Sequence, residues 1–119
     1  LAWRDDARWA PHGGESRVDV ADRSVPLVRE LVAQQVGWGV EDPDRPVVLV
    51  AHGGLIAALT GALLGLPVDN WPVLGGMGNA SWVQLAGHTR ADGDPASYDD
   101  IRWRLDVWNA SAQVASDVL

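Results

Sequence analysis

The chain has 119 residues, a formal net charge of −7 at pH 7 and no cysteine, and all nine of its basic residues are arginine. This length suits one modest domain with a single core. The acidic balance argues against nucleic-acid or anionic-membrane binding through bulk charge, and a chain without thiols has no disulfide, cysteine nucleophile or cysteine metal site.

The amino-terminal residues read as a helix already under way. Residues 1–9 place Leu1, Trp3 and Trp9 where they offer apolar surface to other structure. Because the first residue is not a methionine, we expect this chain to be a piece of a longer one.

A second helix is predicted to begin at Ser16, a residue type typical of the N-cap. Spacings of three and four residues predict one buried stripe, formed by Val18, Ala21, Val25, Val28 and Val32. The charged residues are expected largely outside, namely Arg17, Asp19, Asp22, Arg23 and Glu30. Pro26 predicts a kink near residues 22–25 or a restart at the proline, since an internal proline costs about 3 kcal/mol. We expect the helix to end around Val36, before a polar loop over residues 37–46.

The stretch Pro46-Val-Val-Leu-Val-Ala51 is the clearest strand in the sequence. A β-branched run without alternation is typical of a central parallel strand buried on both faces. The helix predicted after it, residues 54–64, is apolar nearly all round, so other structure should cover it. Residues 66–72 predict a turn with a short helix, and the glycine-rich residues 74–79 are expected to be irregular.

The last part of the chain is predicted to contain two further strands. Residues 81–86 form one candidate, and residues 101–108 alternate strictly between apolar and polar side chains. One face of the second strand would carry Ile101, Trp103, Leu105 and Val107. The polar residues 87–100 can return the chain antiparallel, and residues 109–119 are expected to be a partly ordered tail.

His52 stands between the predicted strand and the helix after it, followed by Gly53 and Gly54. This position puts the imidazole at the carboxyl edge of a parallel sheet, where open α/β folds bind ligands. Glycines let a ligand approach the backbone, and the first N–H groups of a helix favour an anion. His52 and Gly53 are therefore candidate phosphate-binding residues. In the alternative interpretation, His52 donates to a nearby carbonyl and the glycines serve only a tight turn.

Other catalytic and metal motifs are weaker. The sequence around His52 has neither the P-loop pattern nor the Gly-x-Ser-x-Gly elbow, so a Ser/His/Asp site would need Ser16 or Ser81 beside the histidine. His12 is expected in a loop and His88 in solvent. Three scattered histidines make a poor metal set, and neither a metal nor another cofactor is predicted.

Two motifs together resemble a known family. Gly13-Gly-Glu-Ser16 opens a helix, and Val47-Val-Leu-Val-Ala-His-Gly53 follows about thirty residues later. This combination resembles the carboxyl half of the histidine phosphatase superfamily, with its phosphoglycerate mutase-like fold, and residues 10–20, 72–82 and 101–113 extend the resemblance. The implied fold is a three-layer α/β/α arrangement with a mostly parallel sheet, here lacking its amino-terminal part. Residues 1–119 are thus expected to be the carboxyl-terminal part of one domain.

The resemblance also implies a reaction, the hydrolysis of glucosyl-3-phosphoglycerate or a similar small phosphate ester. In the family a histidine of an Arg-His-Gly motif becomes phosphorylated, a glutamate protonates the leaving oxygen, and a second histidine helps to neutralise the phosphoryl oxygens. That second histidine corresponds to His52. The first histidine and the acid are expected upstream of Leu1, so this chain alone should be inactive. Glu15 is expected to support or cap a helix rather than to replace the acid.

Two other functions remain open: mutase-type phosphoryl transfer, and a non-catalytic anion-binding module. The expected partner is a small phosphorylated substrate, without nucleic acid or membrane. Neither an export signal nor an apolar stretch long enough to span a bilayer is visible, so the cytoplasm is the expected location. Seven tryptophans, including Trp108 on a polar strand face, leave room for a homodimer interface.

Overall fold

A computed structural model describes residues 2–34 and 46–112. Its elements in chain order are helices α1 (Ala2–Asp5), α2 (Arg17–Gln34) and α3 (Gly53–Leu63), a 3₁₀ helix (Val68–Val73), strand β1 (Ser81–Thr89), a short 3₁₀ helix (Tyr98–Asp100) and strand β2 (Ile101–Ser111). The content is therefore α/β, and none of the described helices is both long and apolar enough to cross a membrane. The predicted helix end at Val36 and most of the predicted loop and tail lie outside the described residues.

Ser16 caps α2, as predicted. The Asp19 N–H donates to Ser16 Oγ over 3.1 Å, and the Ser16 N–H donates to Asp19 Oδ2 over 2.9 Å. This reciprocal pair satisfies two of the N–H groups that the start of a helix leaves without a partner. The Ser16 N–H, and then its hydroxyl, hold the pKa of the Asp19 carboxyl below its ordinary value of 3.8.

The buried face of α2 agrees with the predicted stripe only in part. Its buried residues are Arg17, Val20, Ala21, Ser24, Val28 and Val32. The prediction that Arg17 lies outside is wrong, because this residue shares a helix face with Ala21 one turn later. The helix also continues through Pro26 without a restart. The proline is exposed, so water can hydrate the carbonyl that loses its N–H partner.

Helix α3 packs its smallest side chains against α2 and Trp71. Its buried residues are Ala57, Ala58, Thr60, Gly61 and Leu63. Ala58 shares a cluster with Val20, Ala21 and Trp71, whereas Leu63 joins Val28 and Val32. The buried Thr60 hydroxyl donates to the Ile56 carbonyl over 2.7 Å, so this polar group keeps a partner inside the core.

The apolar run before α3 is not a strand in this structure. Val48 is 77% exposed and Val50 is 96% exposed, and the one sheet found in the described residues does not include residues 46–51. The prediction of a central strand buried on both faces is therefore wrong here. The run has the composition of a buried strand, but a strand also needs a neighbour to complete its backbone hydrogen bonds.

Strands β1 and β2 pair antiparallel, so the sheet of the described residues is not the mostly parallel one that was expected. The pairing joins Thr89 to Ile101 and Ser81 to Ser111, with irregular register near Gln84. The predicted alternation in β2 is confirmed from Ile101 to Val107, where exposed polar side chains alternate with half-buried apolar ones. It does not extend to Trp108, which is half-buried like Val107. The half-buried face contacts the cluster around Leu63, which attaches the hairpin to both long helices.

Gly61→Ala is expected to destabilise the fold. An added Cβ would lie 3.1 Å from three atoms of the Trp71 ring, which is buried and held by a 3.0 Å hydrogen bond from its Nε1 to the Leu66 carbonyl. Overpacking outweighs the helix propensity gained, for a net loss of about 1 kcal/mol in the free energy of unfolding. Urea unfolding measures this loss. In the control Gly75→Ala the new Cβ meets nothing within 4 Å, and equal stability of the two variants contradicts the clash.

Asp19→Asn is expected to weaken the acid sensitivity of the fold. The pKa of Asp19 is lowered on folding, so its carboxylate contributes stability above the ordinary value of 3.8 that is lost as the pH falls through the folded-state pKa. Asparagine keeps an acceptor but cannot titrate. Thermal unfolding should therefore shift less with pH between about 5 and about 2 than in the parent. Ser16→Ala keeps the backbone donor and should retain most of this dependence, whereas an unchanged profile in Asp19→Asn contradicts the assignment.

Candidate active site

His52 occupies the N-cap position of α3. Its backbone is extended, with φ −81° and ψ 153°, and its carbonyl accepts the Ile56 N–H over 3.1 Å to open the helix. The side chain makes no capping hydrogen bond and is exposed. The imidazole therefore stands at the positive end of a helix and is open to solvent, as the sequence predicted, although no strand leads into it.

Gly53 and Gly54 form the first turn of α3, where backbone N–H groups have no acceptor within the helix. A Cβ on Gly53 would lie 3.3 Å from Met77 Cβ, and one on Gly54 would lie 2.7 Å from the Trp3 ring. The packing at Gly54 therefore leaves no room for a side chain, and the packing at Gly53 leaves little. The same lack of side chains leaves the N–H groups of this turn accessible to a small anion.

Arg17 begins α2 close to this turn and is 3% exposed. Its guanidinium lies over the Trp3 ring, 5.0 Å from the ring centroid. Trp3 is held in turn by a 2.7 Å hydrogen bond from its Nε1 to the Glu15 carbonyl. A further bond, from the Val18 N–H to the Ala7 carbonyl over 3.0 Å, fixes the α1 segment against α2. These contacts hold a cation in a place with little access to water.

The charge of Arg17 is poorly compensated. Its Nε is buried and has no hydrogen-bond partner among residues 2–34 and 46–112. Burial is the main cause that lowers the pKa of Arg17, the positive charge of Arg4 lowers it further, and Asp5 acts in the opposite direction. Leaving a buried donor unpaired costs about 1–3 kcal/mol, and more for a charged group. An anion placed beside this guanidinium would remove that cost.

A cavity of about 300 Å³ lies between Arg17 and the start of α3. Its walls are Trp3, Arg4, Arg17, Gly53, Gly54, Ala57 and residues 75–77. His52 does not line the cavity. Its Cα is about 3.8 Å from the Cα of Gly53, which does line it. Two arginines and a helix start therefore converge on one small space, whose size is at the lower end for ligand sites.

The other candidate residues lie outside this cavity. His12 is in the turn before α2 and His88 is on β1, and both are exposed. The Ser16 hydroxyl serves the helix cap, and the Ser81 hydroxyl donates to the Gly78 carbonyl over 2.5 Å. Each serine is thus engaged locally rather than with a histidine. Among the residues described, no group of three or more His, Asp or Glu side chains is arranged to hold a metal ion.

Glu15 supports the start of α2 through its contacts with neighbouring side chains. Its carboxylate accepts from Arg23 Nε over 2.9 and 3.1 Å, and its carbonyl accepts from the Trp3 indole. The cap itself is made by Ser16 and Asp19. The expectation that Glu15 has a supporting role is consistent with this geometry.

Sequence comparison relates the chain to named enzymes. It matches the histidine phosphatase superfamily (branch 1) over residues 1–111. Over all 119 residues it is 87% identical to the glucosyl-3-phosphoglycerate phosphatase of Mycolicibacterium vanbaalenii, and it is 73% identical over 120 aligned residues to that of Mycobacterium tuberculosis. The chain spans 53% and 52% of these curated relatives, about half of their length.

Solved structures give the same relationship. The native structure of a mycobacterial glucosyl-3-phosphoglycerate phosphatase aligns with 94% of this chain and 51% of its own, at 72% identity and a TM-score of 0.85. Its complex with inorganic phosphate aligns with 95% of this chain and 51% of its own, at 72% identity and a TM-score of 0.84. Because the family match spans residues 1–111 and the fold agrees, this chain belongs to the histidine phosphatase superfamily.

Proposed function

We propose that this chain is the carboxyl-terminal part of a single histidine phosphatase domain. The whole protein would hydrolyse glucosyl-3-phosphoglycerate or a similar small phosphate ester. The observation that carries this proposal is the 87% identity, over the full chain, to the enzyme of that name from M. vanbaalenii. The phosphate complex of a mycobacterial relative adds support for an anionic ligand in this fold.

The proposed reaction passes through a phosphohistidine. A histidine in a segment that precedes residue 1 attacks phosphorus, and the P–N bond forms as the P–O bond to the substrate breaks. A glutamate of the same segment protonates the departing oxygen, and water then cleaves the P–N bond to release phosphate. Covalent catalysis of this kind replaces one difficult displacement with two easier ones. Residues 1–119 contribute binding and charge stabilisation to both steps.

His52 is proposed to contact the phosphoryl oxygens together with the Gly53 N–H. The exposed ring at the N-cap and its lack of a capping bond support this role. The oxygens of a transferring phosphoryl group carry negative charge, which preorganised donors and a positive helix end stabilise. Because the Gly53 N–H is held by the backbone of α3, this donor needs little rearrangement when the charge develops.

The proposal also accounts for residues 46–51. In a three-layer α/β/α domain, this run would pair in parallel with strands of the preceding segment. Val48 and Val50, which are exposed here, would then be covered. His52 would follow the carboxyl end of a strand, the edge at which open α/β sheets bind ligands.

His52→Ala is expected to lower kcat by at least about 10²–10³-fold, the usual effect of removing one donor from a developing negative charge. The test protein joins residues 1–119 to the preceding segment of the M. vanbaalenii relative, and phosphate release from glucosyl-3-phosphoglycerate is measured. His88→Ala is the matched control, because that histidine is also exposed but lies on β1. If both variants retain parental activity and both fold by circular dichroism, the role of His52 is wrong.

Residues 1–119 by themselves are expected to show no turnover, because the nucleophile and the acid are proposed to come from the preceding segment. The joined protein should release free phosphate from both p-nitrophenyl phosphate and glucosyl-3-phosphoglycerate. Transfer of the phosphoryl group to a second acceptor without release of phosphate would support a mutase instead. A folded joined protein without either activity would support a binding module, and turnover by residues 1–119 alone would contradict the division of roles.

A further inference from the structure

We infer that the cavity between Arg17 and α3 binds the carboxylate of the substrate, and that Arg17 and Arg4 select for a phosphorylated carboxylic acid. This inference rests on the proposed function, in which the phosphate of the same substrate lies at His52 and Gly53. It assigns a separate role to side chains that the phosphate site does not use.

Arg17 has the features of a ligand-binding side chain rather than of a structural one. It is 3% exposed, lines the cavity, and has an Nε without a partner in the described part of the chain. The central carbon of the guanidinium lies over the Trp3 ring, 5.0 Å from the ring centroid. Hydrogen bonds of a guanidinium are made in its plane, and the buried Nε is a donor that a ligand in the cavity could engage.

The charge around Arg17 favours an anion. Positive charge from Arg4 acts on Arg17 more strongly than negative charge from Asp5 does. The planar fork of a guanidinium matches a carboxylate, which can accept two parallel N–H bonds. A carboxylate in the cavity would thus satisfy the orphaned donor and reduce the repulsion between two arginines.

The position of the cavity suits a glycerate that is phosphorylated at its third carbon. Gly53 belongs both to the cavity wall and to the proposed phosphate site. In 3-phosphoglycerate only one carbon separates the carboxyl carbon from the carbon that bears the phosphate. The carboxylate and the phosphate must therefore bind close together. This agrees with a cavity that shares Gly53 with the proposed phosphate site.

Two glycines keep room for the side chains that form this site. A Cβ on Gly54 would lie 2.7 Å from the Trp3 ring, and one on Gly76 would lie 2.9 Å from Arg4 Nη2. Larger residues at these positions would push Trp3 or Arg4 out of place. The cavity of about 300 Å³ has room for a carboxylate with its adjacent carbons.

The test compares two substrates in the joined full-length protein. Arg17→Gln is expected to lower kcat/KM for glucosyl-3-phosphoglycerate by roughly 10- to 100-fold, mainly through a higher KM, because a hydrogen bond to a charged group is lost. The loss for p-nitrophenyl phosphate should be much smaller, since that ester has no carboxylate. Arg4→Gln should act in the same direction with a smaller effect, because its side chain is exposed.

Arg29→Gln is the matched control. Arg29 is on the same helix and also lies over an aromatic ring, 4.6 Å from the Tyr98 centroid, but it is exposed and outside the cavity wall. This variant should resemble the parent with both substrates. Equal losses with both substrates in Arg17→Gln and Arg4→Gln would overturn the inference, because they would indicate a role in phosphate binding or folding.

A binding measurement tests the inference independently of catalytic turnover. Glucosylglycerate, the dephosphorylated product, retains the carboxylate and should bind the parent in calorimetry, with weaker binding to Arg4→Gln and Arg17→Lys. These two variants also serve if Arg17→Gln fails to fold. Failure of the parent to bind glucosylglycerate overturns the carboxylate site even if phosphatase activity is present. Absence of all phosphatase activity with normal product binding overturns the proposed function and leaves the carboxylate site supported.

Discussion

The packing of α2 against α3 determines where the groups of the candidate site lie. Ala58 is fully buried in this contact, and Gly61 lets the backbone of α3 approach Trp71. Once the two helices are in contact, the first turn of α3 lies beside the first turn of α2. Arg17 and Gly53 therefore line one cavity. The burial of apolar surface is not directional. It nevertheless positions Arg17 and the start of α3, whose hydrogen bonds are strongly directional.

Sequence patterns predicted the elements whose stability is local. The cap at Ser16 depends on residues three apart, and the alternation in residues 101–108 requires only one hairpin partner, so both could be read from short stretches. The run at residues 46–51 could not, because an apolar composition indicates that a segment should be buried without specifying what covers it. A strand makes its hydrogen bonds with another segment, and the residues of the run do not identify that segment.

The candidate site was predictable to a similar extent. The order of apolar run, histidine, glycine and helix located His52 correctly at the start of α3, whereas its role in phosphate binding stays a prediction. The burial of Arg17 was missed because its charge suggested solvent, although its position one turn before Ala21 favoured the core side. The cavity could not be anticipated, since Trp3, Arg17 and residues 75–77 are far apart in the sequence and meet only through tertiary packing.

The exposed run before His52 also affects how the chain behaves at high concentration. Val47, Val48 and Val50 are β-branched, the run carries no charge, and its side chains are open to water. Such a segment is a template for intermolecular strand pairing, and Pro46, which lacks an N–H, protects only its first position. We therefore expect residues 1–119 alone to self-associate through this run, whereas the proposed pairing with a preceding segment would prevent it.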